Sequence, residues 1–160
     1  MSRKNFVRNL SFALAMFGAG AANAATTGTL TTAKGTVAVK YAYVVKGPDT
    51  LSGSVIKKLI LTSADIAAKL KACDSTSCVD GAVTEGLVVD IGGERLNYWF
   101  VANNGLTQNS GSTDPAGLKT TADDATHMVG KLSFDGTAMG GPKTEVDFDA
   151  AMVKEYTKAR

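Results

Sequence analysis

Ten consecutive residues, Thr36-Val37-Ala38-Val39-Lys40-Tyr41-Ala42-Tyr43-Val44-Val45, constrain the fold of this chain more than any others. Val37, Val39, Tyr41, Tyr43 and Val45 recur at every second position, and Ala38, Lys40, Ala42 and Val44 form a second, more mixed series. Side chains on a strand alternate between two faces, whereas a helix would scatter such a series around its circumference. β-Branched and aromatic residues at period two therefore predict a half-buried antiparallel strand. A strand of this kind needs partners, so the rest of the chain must supply a sheet.

Candidate partners are present on both sides. Gly28-Thr29-Leu30-Thr31-Thr32 suggests a first edge strand, and Val55 to Leu61 resumes strand character after the punctuation of Gly47-Pro48-Asp49 and a polar loop to Ser54. Leu87-Val88-Val89-Asp90-Ile91 and Glu94 to Ala102 flank Gly92-Gly93, a pair that predicts a tight hairpin turn. Leu96, Tyr98, Phe100 and Ala102 make the apolar face of the second arm, with Trp99 pointing the other way beside Arg95 and Asn97. Met128 to Phe134 and Lys143 to Asp149 predict a further pair across the loop from Gly136 to Pro142. One helix is expected: Ser63 as N-cap, then Ala64 to Ala72, with Ile66, Leu70 and Cys73 on one face and Asp65 four residues before Lys69. Asn103 to Asp124 is polar and about twenty residues long, with at most a short strand or helical turn legible inside it, so either it is mobile or functional or it holds further elements that the pattern does not show. The tail from Ala150 either extends the last strand or forms a short helix. Six to eight strands, one short helix and no βαβ alternation give a mainly β class, an antiparallel sandwich or a small barrel.

The first residues carry a different signal. Arg3, Lys4 and Arg8 precede an apolar stretch from Leu10 to Gly20, and Ala22-Asn23-Ala24 has the small-x-small pattern of a signal-peptidase site. Residues 1–24 are expected to be a secretory leader of bacterial type and residues 25–160 a single soluble domain, periplasmic or secreted, with no cysteine at its start to take a lipid. No later stretch reaches the 18 or so uninterrupted apolar residues of a membrane span. The chain has 17 Lys+Arg against 15 Asp+Glu, and three of the basic residues lie in the leader, leaving 14 against 15. A net charge near −1 gives no electrostatic reason to expect nucleic acid as a partner.

Cys73 and Cys78 are the only two cysteines. In an exported chain an even pair is expected to form a disulfide. Closing so short a ring stabilises by only about 2 kcal/mol, so its role is local. A redox pair would favour two intervening residues at a helix N-terminus, and zinc needs about four ligands where the chain offers a single histidine. Asp74, Thr76, Asp80 and Glu85 have part of the spacing of a calcium loop, but Cys78 and Val79 occupy positions that need an oxygen ligand and a glycine. No metal and no cofactor are expected.

Catalytic patterns are equally sparse. His127 sits beside Asp123 and Asp124 in the sequence, the arrangement of an oriented general base, yet no G-x-S-x-G elbow or free cysteine accompanies it. Glu145, Asp147 and Asp149 share one strand face, which reads as the solvated side of an edge strand. Two sets of residues point to binding. Trp99 with Arg95 and Asn97 offers an aromatic contact with a cation alongside, unless a second layer covers that face. Tyr41, Tyr43, Tyr98 and Phe100 would line an apolar cavity if the sheet closes around a concave interior, and would otherwise be core. Short pieces of the chain, Tyr41-Ala42-Tyr43, Leu61-Thr62 and Phe148-Asp149-Ala150, resemble those of small exported bacterial β-domains without an assigned activity. The expected function is binding of a small ligand or an envelope protein partner, with a surface subunit or inhibitor as the alternative and a carboxylate- or histidine-dependent hydrolase behind both.

Overall fold

The computed structural model describes residues 25–160, so the expected leader, residues 1–24, lies outside the described residues. Ten strands and two short helices follow in the order β1 (Thr27–Thr32), β2 (Gly35–Val39), β3 (Tyr41–Pro48), β4 (Val55–Thr62), α1 (Ala67–Ala72), α2 (Thr76–Ala82), β5 (Gly86–Ile91), β6 (Leu96–Ala102), β7 (Thr107–Thr113), β8 (Leu118–Asp123), β9 (His127–Asp135) and β10 (Lys143–Glu155). All ten strands belong to one sheet, curled into a half-barrel, which is the mainly β, barrel-like class expected. The strand count exceeds the expected six to eight, and there are two helices where one was expected.

β10 is the spine of the sheet. β9 runs antiparallel along one of its edges from Lys143 to Ala151, while the other edge is shared by β1 near its start and β3 near its end. Only the β3–β10 pairing is parallel; from β3 the sheet continues through β4, β5 and β6 to β7 by antiparallel neighbours. β1 lies between β2 and β10 rather than at an edge, which corrects the reading of Gly28 to Thr32.

This fork explains why the alternating stretch is two strands and not one. β2 pairs with β1, which separates it from β10; the chain then steps sideways at Lys40 and β3 meets β10 directly. Lys40 and Tyr41 are both exposed at the step, so the side-chain phase slips by one residue, as at a bulge. Val37 and Val39 enter the inner core, and from there on it is Ala42 and Val44 that do so, whereas Tyr43 and Val45 face outward.

Two cores result. The concave face gathers Leu59, Leu87, Phe100, Leu132, Val146 and Phe148 with their neighbours. On the convex face, Tyr43, Val45, Ile60 and Val88 are covered by Ile66, Leu70, Val79 and Tyr156 from the helices and the tail. Strands buried on both sides read as continuous apolar runs, as Leu59-Ile60-Leu61 and Leu87-Val88-Val89 do.

Helices of six and seven residues are too short to persist alone and depend on this docking. Tyr43 marks the start of α1: its hydroxyl donates to Asp65 Oδ1 at 2.6 Å and accepts from the Ile66 N–H at 3.1 Å, while Asp65 Oδ1 accepts from the Ala67 N–H at 2.9 Å. Ser63 is therefore not the cap; its hydroxyl donates to Glu85 instead. At the other end the Tyr156 hydroxyl donates to the Leu70 carbonyl and the Lys154 ammonium to the carbonyls of Lys71 and Cys73. α2 is capped by Ser75, whose Oγ accepts from the Cys78 N–H at 3.3 Å, and its first N–H groups donate to the carbonyls of Lys158 and Ala159. Gly47 permits this close packing, since a Cβ there would fall 2.7 Å from Thr76 Cγ2 and 2.9 Å from Tyr156 Cβ.

Two further expectations are revised, and one left open, the course of the tail, is settled. Gly92-Gly93 forms half of a four-residue connection, because β5 ends at Ile91 and β6 begins at Leu96. The polar region 103–124 holds β7, a 3₁₀ turn at Pro115–Gly117 and β8, not a long loop; both strands lie at the margins of the sheet, where polar residues suffice for pairing on a single edge. The tail extends β10 to Glu155.

Burial, and then its hydrogen bond to Asp65, raises the Tyr43 phenol from 10 to about 12. A folded-state pKa above the unfolded one means that this phenol adds stability below pH 10, which is lost as pH rises through its folded value. Stability in urea should therefore fall between pH 10 and 12, and Tyr43→Phe should flatten that slope in part, since burial also raises Tyr98 and Tyr156. An unchanged slope in Tyr43→Phe would show that the folded state does not hold this phenol above its ordinary value.

Candidate functional site

The helical layer covers the convex face over β3, β4 and β5 but stops short of β6 and β7, and at its border the surface dips into a concavity of about 390 Å³. Sheet register dictates what lines it. Lys58 of β4 lies opposite Asp90 of β5, which lies opposite Asn97 of β6; one row along, Val88 lies opposite Trp99, which lies opposite Ser110 of β7. α2 closes one side with Asp80 and Gly81.

Lys58 is the anomaly of this region. Its side chain is 5 % exposed, a rare setting for an ammonium, and it is matched by two carboxylates. Nζ lies 3.0 and 3.2 Å from the two oxygens of Asp80 and 3.0 Å from Asp90 Oδ1. Burial pushes the ammonium down, but Asp90 and Asp80 together outweigh it and hold Lys58 above the ordinary lysine value. Burial also pushes the Asp80 carboxyl up, against the pull of Lys58. With all three groups ionised, the cluster carries one negative charge.

Trp99 is half-buried, packed at the edge of the convex core with the rest of its surface toward the concavity. It is thus neither fully covered by a second layer nor free on the surface. Asn97 joins it in the same lining, but Arg95 does not. The Arg95 guanidinium is turned onto Ser112, with Nε donating to Oγ at 3.0 Å and Nη2 to the carbonyl at 3.3 Å, and it borders a neighbouring hollow of about 520 Å³ beside the 49–54 loop.

The second expected constellation is dispersed. Tyr41 is 39 % exposed at the strand step, and Tyr43 lies under α1 on the convex side. Tyr98 and Phe100 are in the concave core, where the Tyr98 ring lies 5.0 Å from that of Phe134. Packing there is tight enough that a Cβ on Gly141 would come within 2.3 Å of the Tyr98 hydroxyl. These four residues do not form one cavity, because the phase slip at Lys40 sends Tyr43 to the opposite face.

Cys73 and Cys78 are joined, with sulfurs 2.05 Å and Cα atoms 5.5 Å apart. The bond links the end of α1 to the first turn of α2, a local role as expected, and so clips the two helices into one layer. The residues with calcium-loop spacing are dispersed: the Thr76 hydroxyl donates to the Pro48 carbonyl, Asp80 serves Lys58 and Glu85 binds Ser63. Among the described residues no group of three His, Cys, Asp or Glu side chains is placed to hold a metal ion.

His127 takes a partner the sequence did not indicate. Its Nε2 is paired with the carboxylate of Asp149, whose side chain is 8 % exposed, while Asp123 pairs with Lys57 and Asp124 caps its own turn through Thr126. The antiparallel β9–β10 register brings His127 and Asp149 together. Among the described residues no hydroxyl or thiol is hydrogen-bonded to the imidazole. Glu145 and Asp147 are exposed, yet their strand is interior to the sheet and not an edge.

Sequence reasoning missed Lys58, Asp80, Asp90 and Ser110. A signal was present: Lys58 interrupts Val55-Ile56-Lys57-Lys58-Leu59-Ile60 and Asp90 interrupts Leu87 to Ile91, each placing a charge among apolar strand residues. Only the strand register puts the two opposite each other. Comparison with protein-family models, with curated proteins and with solved structures finds no match to this chain.

The ion cluster has a testable asymmetry. Asp80 and Asp90 retain side-chain exposures of 33 % and 27 % and can rehydrate if Lys58 is removed, whereas Lys58 cannot if they are. Lys58→Met should cost about 1–2 kcal/mol, and the double variant Asp80→Asn/Asp90→Asn about 3–5 kcal/mol, by urea unfolding at pH 7. Equal costs, or a larger cost for Lys58→Met, would show that burial of the ammonium does not control the cluster.

Proposed function

We propose that this protein is an exported, non-catalytic binding domain of the bacterial envelope, periplasmic or secreted, and that its ligand occupies the concavity beside Trp99. One observation carries the reading: a buried ammonium and two carboxylates lie in the wall of an open hollow, next to a half-buried indole. A fold that needed only stability would do as well with apolar residues in place of a buried ion pair, so such a cluster beside an open hollow suits a site that orients a guest. The disulfide supports export, since such bonds persist in oxidising compartments. Among the described residues no helix is long and apolar enough to cross a membrane.

The alternative, a surface subunit assembling through sheet edges, has less behind it. Of the three margins, β7 and β8, Thr107–Thr113 and Leu118–Asp123, are composed mainly of Thr, Ser, Asn, Lys and Asp, and β2 is only five residues long, both kinds of edge that resist lateral pairing. A hydrolase through His127 would need a nucleophile or positioned water that the pair with Asp149 does not itself provide.

Native mass spectrometry of protein purified from the periplasm without denaturation tests the reading. A retained small molecule is expected in the parent and should be lost from Trp99→Leu and from Gly81→Phe, which fills the hollow at a position where a Cβ meets nothing within 4 Å. Undiminished retention in both variants would place the ligand elsewhere and overturn the proposal.

A further inference from the structure

We infer that the concavity selects a cationic head group, an alkylammonium or a guanidinium, in place of a sugar or an anion. The inference rests on the concavity being the ligand site and follows from which polar atoms in its wall are still available. Lys58 is buried and turned onto carboxylates: its ammonium hydrogen-bonds both oxygens of Asp80 and lies 3.0 Å from Asp90 Oδ1. Lys58 is the one cation in the lining, and Arg95 is engaged with Ser112 and borders the adjoining hollow. No free positive group is therefore left for an anion to meet.

Acceptors, by contrast, remain. An ionised carboxylate offers about four lone-pair directions, and Asp80 and Asp90 each direct only part of theirs at Lys58 while about a third or less of each side chain stays exposed. Asp49, engaged with Ser52 in the loop bordering the adjoining hollow, adds a weaker negative field at Asp80. Against one buried ammonium the lining thus sets two carboxylates. A saccharide would need donors as well as acceptors, and the lining supplies these only from the Asn97 amide and the Ser110 hydroxyl.

Trp99 completes the selection. The face of an indole attracts a cation within about 6 Å, most strongly where water is partly excluded, and the apolar Val88 lies directly across the ladder from it. A primary ammonium placed between the carboxylates and the indole would satisfy both. A guanidinium adds the option of a bidentate bond to one carboxylate.

Trp99 is the only tryptophan in the chain, so its emission reports occupancy directly. The purified domain would be titrated at constant low ionic strength with n-butylammonium, agmatine, glucose and inorganic phosphate. Saturable change is expected with butylammonium and agmatine alone, weakened tenfold or more in Asp90→Asn and abolished in Gly81→Phe, which leaves the ion cluster intact. Saturation by glucose or phosphate with no response to the amines would overturn the cationic class while leaving the concavity as the site. Amine binding that persists unchanged in both variants would overturn the site itself. The absence of saturation with any of the four probes would overturn the cationic inference, and ligand retention in the native protein would then decide separately whether the concavity binds at all.

Discussion

The double burial of the middle of the sheet governs the rest of the structure. β3, β4 and β5 bear apolar residues on both faces, so neither the curl of the half-barrel nor the helical layer is optional: each removes one face from water. Fully burying a large aliphatic side chain is worth about 1.5–3 kcal/mol, and Val45, Ile60 and Val88 would all be left open if the helices were displaced. The helical layer ends where the convex face turns polar, at Lys58, Asp90 and Asn97. The concavity is the border between those two regions, and its mixed chemistry, indole and valine beside ions, follows from that position.

Holding the layer in place requires more than hydrophobic contact, because each helix is barely two turns long. The chain recruits remote groups: Tyr43 from the strand beneath, Tyr156 and Lys154 from the last strand and its continuation, and the carbonyls of Lys158 and Ala159 for the start of α2. The disulfide adds a local clip between the helices. Cys78 and Asp80 belong to the same helix, so what fixes α2 also fixes the carboxylate that meets Lys58. Stability of the layer and geometry of the site are thus one problem.

Much of the fold was legible in the sequence and the site less so, for physical reasons. Period-two patterns located β6 and β10, because each presents an apolar series to the concave core. β7 and β8 escaped notice: at a sheet margin, pairing needs backbone groups more than apolar side chains, and Thr107 to Thr113 carries no apolar residue at all. The alternation over Thr36 to Val45 promised one face and delivered two, since the pattern cannot register a sideways step at Lys40. Trp99 and Asn97 were visible as outward residues of a strand. Their partners Lys58, Asp80 and Asp90 come from three other elements and converge only through register and helix placement, while Tyr41, Tyr43, Tyr98 and Phe100 shared a residue type without sharing a face.

The dependence of the site on the clipped helical layer is tested most directly by hydrogen–deuterium exchange of the oxidised protein beside the same protein with Cys73 and Cys78 reduced and blocked. Faster exchange is expected in α1, in α2 and in the amides of β4 and β5 that lie under them, with β9 and the first half of β10 unchanged. Exchange that is identical in the two forms, or that rises evenly across all ten strands, would contradict the account, for the layer would then not be the separately held element on which Asp80 and the concavity depend.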